Sequence, residues 1–401
     1  MKICMISMEF PPYPSYIAAG GVGIHTVYLS KSLARLGHEV HVIACGDREF
    51  CELIDGVYVH RISSLPYRLF RVPVFSLKAA KKFRVLNKKI KFDIIHNQSP
   101  YGFFEAYVHK IDSKVKMVTT IHAIPLRELV NSRLARDPLN HKKFKNLLET
   151  LTLLIEQILF SKVEYFVSDK IIAVSGNIKN DLINTFNIKA QKIQVIHNGI
   201  DGEEFNPNVD NTKIKINRGL KDAKVVLFVG RLERIKGLYL LIDVAKQIIR
   251  EKSNVYFLIV GSGVHEDELA KMGDALEGRV IFTGRVPHEL LPFYYSTADV
   301  VVIPSLYAGC PLTLLEAMAS AKPIVTTIAD FDNYFDNIEK QVVLVKEANN
   351  SGVLAQKIID LLSNEEYQAE LGSSARLKVL ECLTWEKIAT ETSKLYKHLL
   401  D

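Results

Sequence analysis

The sequence predicts an α/β protein made of two doubly wound domains, each built on a parallel sheet. Three observations carry this reading. Short β-branched runs alternate with helically spaced segments, the runs are apolar almost without interruption, and a polar stretch at 201–223 divides them into two sets. A strand buried on both faces reads as a continuous apolar run, and such strands belong to parallel sheets covered by helices. At 401 residues the chain can form two cores of ordinary size.

The first set of runs falls at 2–7, 39–44, 93–96, 117–122, 170–174 and 193–197. The second falls at 224–229, 255–260, 279–282, 299–303, 323–326 and 342–345. Between them lie helical patterns such as Leu29, Leu33 and Leu36, which stop at Gly37. The stretch at 201–223 is rich in Asp, Asn and Lys, contains Pro207 and interrupts the strand rhythm. The expected division is 1–203 for the first domain, 204–383 for the second and 384–401 for a closing helix, amphipathic through Ile388, Thr392, Leu395, Tyr396 and Leu399. Two such domains facing each other leave a cleft at their strand ends, which is the default ligand site.

Composition narrows the function. Hydrophobic residues at 48% and charged residues at 24% are ordinary for a globular protein. The apolar run at the start is too short for a signal peptide, and the most lipid-like stretch, 147–167, is interrupted by Glu149, Glu156, Lys162 and Glu164. Five scattered cysteines without a CxxC pair indicate a reduced, cytoplasmic setting without structural zinc. The net charge of +6 is uneven: residues 1–200 hold 28 Lys and Arg against 16 Asp and Glu. The first half therefore faces something anionic, and without a nucleic-acid-binding module a membrane surface or a phosphorylated acceptor is expected.

Three turns carry chemistry. After the first strand, Gly20, Gly21 and Gly23 open a helix; glycines admit close backbone approach, and helix-start amides favour an anion. The same residues also suit a plain strand-to-helix loop. The run at 224–229 leads into Gly230-Arg231-Leu-Glu-Arg-Ile-Lys236-Gly237, where a guanidinium and an ammonium can hold a diphosphate from two directions. Charge grows on a diphosphate as it leaves a sugar, so cations there stabilise the transition state above the ground state. An exposed, solvated loop is the alternative. The run at 299–303 enters a turn with Ala308, Gly309 and Pro311, then a helix with Glu316 near its start, where the helix dipole alone would favour a carboxylate.

Several segments together resemble one family. In order they are Gly20-Gly-Val-Gly23, Gly37-His-Glu-Val40, Thr120-Ile-His122, Ala173-Val-Ser175, Val195-Ile-His-Asn-Gly-Ile-Asp201 with Phe205-Asn-Pro207, Gly230-Arg-Leu232 with Lys236-Gly237, and Pro304-Ser305 through Glu316-Ala-Met-Ala319. The chain resembles the family-4 retaining glycosyltransferases of the GT-B fold over nearly its whole length. The resemblance implies that the Gly20–Gly23 loop meets the donor diphosphate, that Arg231 and Lys236 neutralise it as it leaves, and that His122 stands against the donor sugar. It implies ribose contact through Glu316, nucleobase contact at the Val286 backbone, and amides of Leu312 and Thr313 reaching the diphosphate and sugar. It also implies that the Trp385 segment packs back onto the first domain. No cofactor is implied; the nucleotide-sugar is a substrate whose nucleotide and sugar the sequence leaves open.

Two departures stand out. The family carries Glu at both ends of an E-x(7)-E spacing, and here the first is Ala308. Asp330-Phe-Asp-Asn-Tyr-Phe-Asp336 replaces the family's glycine-rich turn, and Ala321 stands where Gly is usual. No carboxylate pair suits a double-displacement glycosidase, and no His/Asp metal cluster appears. The expected chemistry is metal-independent front-face hexosyl transfer to a glycan or lipid-linked acceptor. A non-catalytic nucleotide-sugar-binding homologue and a GT-B epimerase are the alternatives.

On the acceptor side, 68–91 carries nine cations from Arg68 through Lys91 and no acidic residue, interleaved with Leu69, Phe70, Val74, Phe75, Leu77, Phe83, Val85 and Leu86. Such a mixture suits either peripheral docking on anionic lipid at the inner face of the cell membrane or a solvated helix packed on the sheet.

Overall fold

The computed structural model describes residues 1–11, 20–63, 71–99, 115–124, 161–263, 265–274, 276–307, 309–327, 338–347 and 350–401. The expected departures at Ala308 and 330–336, the start of the basic segment at 68–70 and the stretch 147–160 lie outside them. The chain divides into two compact units: one takes the described residues of 1–126 and 138–199 together with 385–401, the other those of 200–384. Ile200 to Glu203 thus go with the second unit, where Ile200 N–H donates to the Leu383 carbonyl at 2.8 Å.

The strands of the first unit are β1 (Lys2–Ile6), β2 (Glu39–Gly46), β3 (Phe50–Ile54), β4 (Val57–Ser63), β5 (Ile94–Gln98), β6 (Lys116–Ile121), β7 (Lys170–Ala173) and β8 (Ile193–Val195). Among the described residues they form one sheet in the order β3-β4-β2-β1-β5-β6-β7-β8, parallel except for the β3/β4 pair. Chain order reverses between β1 and β5, which makes their carboxyl ends the topological switch point. Ile3, Cys4, Met5 and Ile6 are all fully buried, as expected for a strand covered on both faces.

The hairpin β3/β4 was not among the predicted runs. Its signal is Asp55-Gly56, with φ of 48° and 83°. Two consecutive positive φ values match the twist of a two-residue hairpin.

Helix α1 (Gly21–Arg35) follows β1, and α2 (Arg71–Ile90) follows β4. On α2, Phe75, Ala79 and Phe83 are buried at helical spacing against Cys4, Ile6, Ile43 and Ile95. The apolar face of the basic segment is therefore consumed by the protein's own sheet; Leu77 and Val85 stay exposed beside Lys81, Arg84, Lys88 and Lys89. The terminal helix Trp385–Leu400 belongs to this unit: Tyr396 Oη lies 2.5 Å from His96 Nδ1, and His38 Nε2 lies 2.8 Å from Ser393 Oγ.

The second unit holds β9 (Lys224–Val229), β10 (Val255–Val260), β11 (Val280–Gly284), β12 (Val300–Ile303), β13 (Ile324–Thr326) and β14 (Val343–Leu344). All pair in parallel, in the order β11-β10-β9-β12-β13-β14. This is the doubly wound order 3-2-1-4-5-6, with the switch point between β9 and β12. The helix Leu238–Glu251 buries Leu238, Leu241, Ile242, Ala245, Ile248 and Ile249 against this sheet, an apolar stripe at helical period. The stretch 201–223 lies within this unit: Asn211 Nδ2 donates to the Ser296 carbonyl at 2.9 Å, and the Arg376 guanidinium donates to the carbonyls of Gly202, Phe205 and Ala319.

Candidate active site

In the second unit the switch point is built by backbone meeting backbone. A Cβ on Gly237 would come 1.9 Å from the Pro304 carbonyl oxygen, and one on Gly261 would come 1.9 Å from that of Gly230. Gly237, at φ 71°, also caps the turn Arg234–Lys236 and starts the following helix, so only glycine meets both demands. Leu306 N–H donates to Ile235 O at 2.8 Å, tying this turn to the loop after β12.

Three cations follow β9 and differ in use. Arg234 lies over the Tyr239 ring at 4.5 Å. Arg231 directs Nη1 to Glu233 Oε1 at 2.8 Å, and its side chain is 55% exposed, so water screens the pair and an incoming anion can compete for it. Lys236 is half-buried two positions before the helix that Leu238 begins. Across the switch point the helix Leu312–Ala319 follows β12; its first amides belong to Leu312 and Thr313, both partly exposed, after a buried Gly309. Ala308 lies outside the described residues. Val286 is half-buried just past β11, after Gly284 at φ 69°.

Glu316 departs from expectation. It is the fifth residue of its helix, in the second turn, so the dipole at the helix start does not account for it. It is 3% exposed, and both oxygens are engaged: Tyr295 Oη donates to Oε2 at 2.8 Å, and His288 Nε2 lies 3.1 Å from Oε1. His288 Nδ1 faces Glu204 Oε1 at 3.6 Å. Burial works against the charged imidazole, but bonding to Glu204 and Glu316 and their charges outweigh it and raise its pKa to about 10. His288 is therefore an imidazolium at neutral pH.

In the first unit the Gly20–Gly23 loop opens α1 beside the end of β1; a Cβ on Gly20 would come 2.9 Å from the Glu9 carboxylate. His122 follows β6, and its Nε2 lies 2.7 Å from Gln98 Oε1 at the end of β5. The His122 ring meets His25 of α1 edge-on at 4.6 Å, and His25 meets Trp385 edge-on at 5.4 Å. His25 Nδ1 donates to Asn198 Oδ1 at 2.9 Å, while His25 Nε2 and Gln98 Nε2 are buried without a hydrogen-bond partner among the described residues. Burial, then the charges of His25 and His96, hold His122 well below the usual imidazole range, and burial lowers His25 to about 4. Both rings are neutral hydrogen-bonding groups near pH 7, not proton stores.

Residues 19–204 match glycosyltransferase family 4, and residues 210–378 match glycosyl transferases group 1. An uncharacterized glycosyltransferase of Methanocaldococcus jannaschii is 31% identical, the match spanning 99% of this chain and 98% of that protein. The chain belongs to the family-4, group 1 glycosyltransferases. Sucrose-phosphate synthase from Thermosynechococcus elongatus has the same fold, with a TM-score of 0.79 at 22% identity over 99% of this chain and 98% of that one. Anabaena HepE, solved in complex with UDP and glucose, has a TM-score of 0.73 at 18% identity over 99% of each chain. The glycosyltransferase thus has the GT-B fold, with two parallel-sheet domains. Its local sequence marked His122, Arg231, Lys236 and Glu316, but not His25, Gln98, Asn198, His288 or Tyr295. His25, Gln98 and Asn198 come together in the first unit, and His288 and Tyr295 meet Glu316 in the second, each from segments distant in sequence. Of the five only Asn198 lies within a family motif, 195–201, which marks the segment and not its role.

Proposed function

We propose that this glycosyltransferase moves a hexose-type sugar, with retention of configuration, from a nucleotide-sugar to a glycan or lipid-linked acceptor. The observation that carries the reading is the placement of Arg231 and Lys236 after β9, at the switch point where an open α/β sheet receives its ligand. The bond from the anomeric carbon to the diphosphate oxygen breaks as the acceptor oxygen bonds to that carbon on the same face. The acceptor proton passes to the departing diphosphate, so nucleoside diphosphate and glycoside are the products. The neutral His122 supports this route, because a base with so low a pKa takes little part in proton transfer near pH 7. The transfer proposed needs no metal. Arg231 and Lys236 supply the electrostatic stabilisation, and the first amides at Leu312 and Thr313 add to it; in the first unit the glycine turn Gly20, Gly21 and Gly23 is the proposed anion contact.

The exposed cations of α2 are the proposed contact with anionic lipid on the cytoplasmic face. The buried Phe75 and Phe83 restrict that contact to adsorption. Among the described residues no helix is long and apolar enough to cross a membrane. Ala308 supports a second reading, a nucleotide-sugar-binding homologue without turnover. A thermal-shift and donor-hydrolysis screen against UDP-, GDP- and ADP-sugars tests both. Stabilisation with product supports transfer, stabilisation without product supports the second reading, and neither response rejects both.

A further inference from the structure

Glu316 is 3% exposed, on a helix whose neighbouring residues Leu314, Leu315, Ala317 and Met318 are each fully buried. A buried carboxylate needs both a countercharge and hydrogen-bond donors. Tyr295 supplies a neutral donor to Oε2, and His288 supplies the positive charge at Oε1. His288 is itself held on both sides. Its Nδ1 faces Glu204, and its ring meets Phe205 edge-on at 5.4 Å, while Phe205 meets Tyr295 edge-on at 5.8 Å. A carboxylate offers about four lone-pair positions, so among the described residues two on Glu316 are left after these bonds.

We infer that His288 is a positioning residue for the donor: it neutralises and orients Glu316 so that the two remaining lone-pair positions accept the paired hydroxyls of a ribose. This rests on the nucleotide-sugar reading above. Without the imidazolium the carboxylate would lack its countercharge, and its orientation would follow the phenol alone. Phosphate recognition, which depends on Arg231 and Lys236, would be untouched.

The test is calorimetric titration with UDP, GDP and ADP, followed by the 2′-deoxy and 3′-deoxy forms of whichever binds tightest. The proteins compared are the unaltered chain, His288→Phe, His288→Gln and Tyr295→Phe, with inorganic pyrophosphate as the control ligand. In the unaltered protein, loss of either hydroxyl should weaken binding about tenfold or more, the worth of a hydrogen bond to a charged group. In His288→Phe the full nucleotide should bind about tenfold more weakly, and the deoxy penalty should shrink below about threefold. His288→Gln, which restores a neutral donor, should recover part of the discrimination, and pyrophosphate should bind all folded variants alike. A merely structural His288 would lower the melting temperature and leave the deoxy penalty intact, which overturns the inference. Should His288→Phe not fold, Tyr295→Phe and His288→Gln must each still reduce the penalty. If no nucleotide binds the unaltered protein, the nucleotide-sugar reading fails and takes this inference with it.

Discussion

Gly237 lies so close to Pro304 that a Cβ would stand 1.9 Å from the proline carbonyl oxygen. That contact joins the basic turn after β9 to the loop after β12, and with it the proposed diphosphate contacts to the segment that leads into the Glu316 helix. Gly237→Ala must strain a left-handed backbone and push the two strand ends apart. It should cost at least about 2 kcal/mol of stability, read from the denaturant midpoint. An unchanged midpoint would mean the crevice tolerates separation of its walls.

Arg231 is the opposite case. Its ion pair with Glu233 is solvent-exposed and contributes little to folding. Arg231→Ala should lower turnover about 10²- to 10³-fold while shifting stability by less than about 0.5 kcal/mol. Equal losses of turnover and stability would remove Arg231 from the proposed chemistry.

In the proposed transfer, and with position 308 following the family pattern, Ala308 lacks a hydrogen bond to the donor sugar that a glutamate there would make. Ala308→Glu should raise donor turnover by roughly one to two decades, the equivalent of a charged hydrogen bond of about 1.5–3 kcal/mol. A fall in turnover would show instead a pocket adapted to alanine.

The two units should respond to pH in opposite directions. In the first, burial lowers His25 to about 4 and His96 to about 3. The unfolded chain binds protons there that the folded chain refuses, so stability should fall as pH drops from about 6.5 through these values. In the second, the raised pKa of His288 gives stability that is fully present below about 6.5 and lost as pH rises through about 10. Trp385, the single tryptophan, reports the first unit alone. Its fluorescence transition should move to lower temperature at pH 5 but not at pH 9.5, whereas far-ultraviolet circular dichroism should show an alkaline loss that His288→Phe abolishes. An alkaline shift of the tryptophan transition would contradict this division.

The strands were legible because a parallel strand buried on both faces writes itself locally, as in the apolar runs at 224–229 and 255–260, which β9 and β10 match residue for residue. The hairpin β3/β4 carried an equally local signal in Asp55-Gly56, but only as a turn rule and not as an apolar run. Glu316 was legible as a residue and not as an environment. Its helix begins at Leu312, and its partners arrive from Tyr295 and His288 on other segments. The basic segment at 68–91 admitted two readings because composition does not say which apolar residues face inward. The sheet took Phe75 and Phe83 and left Leu77 and Val85 outside.

The sequence by itself determined two doubly wound sheets and the glycines and cations that follow their strands, Gly20 to Gly23 after β1 and Arg231 and Lys236 after β9. Periodicity and the residues that begin and end elements are properties of neighbouring positions. Only the tertiary structure decided that His122 is neutral, that His288 is charged and that Glu316 is held by two donors. Desolvation and countercharge depend on which distant segments close over a group, and no local pattern contains that information.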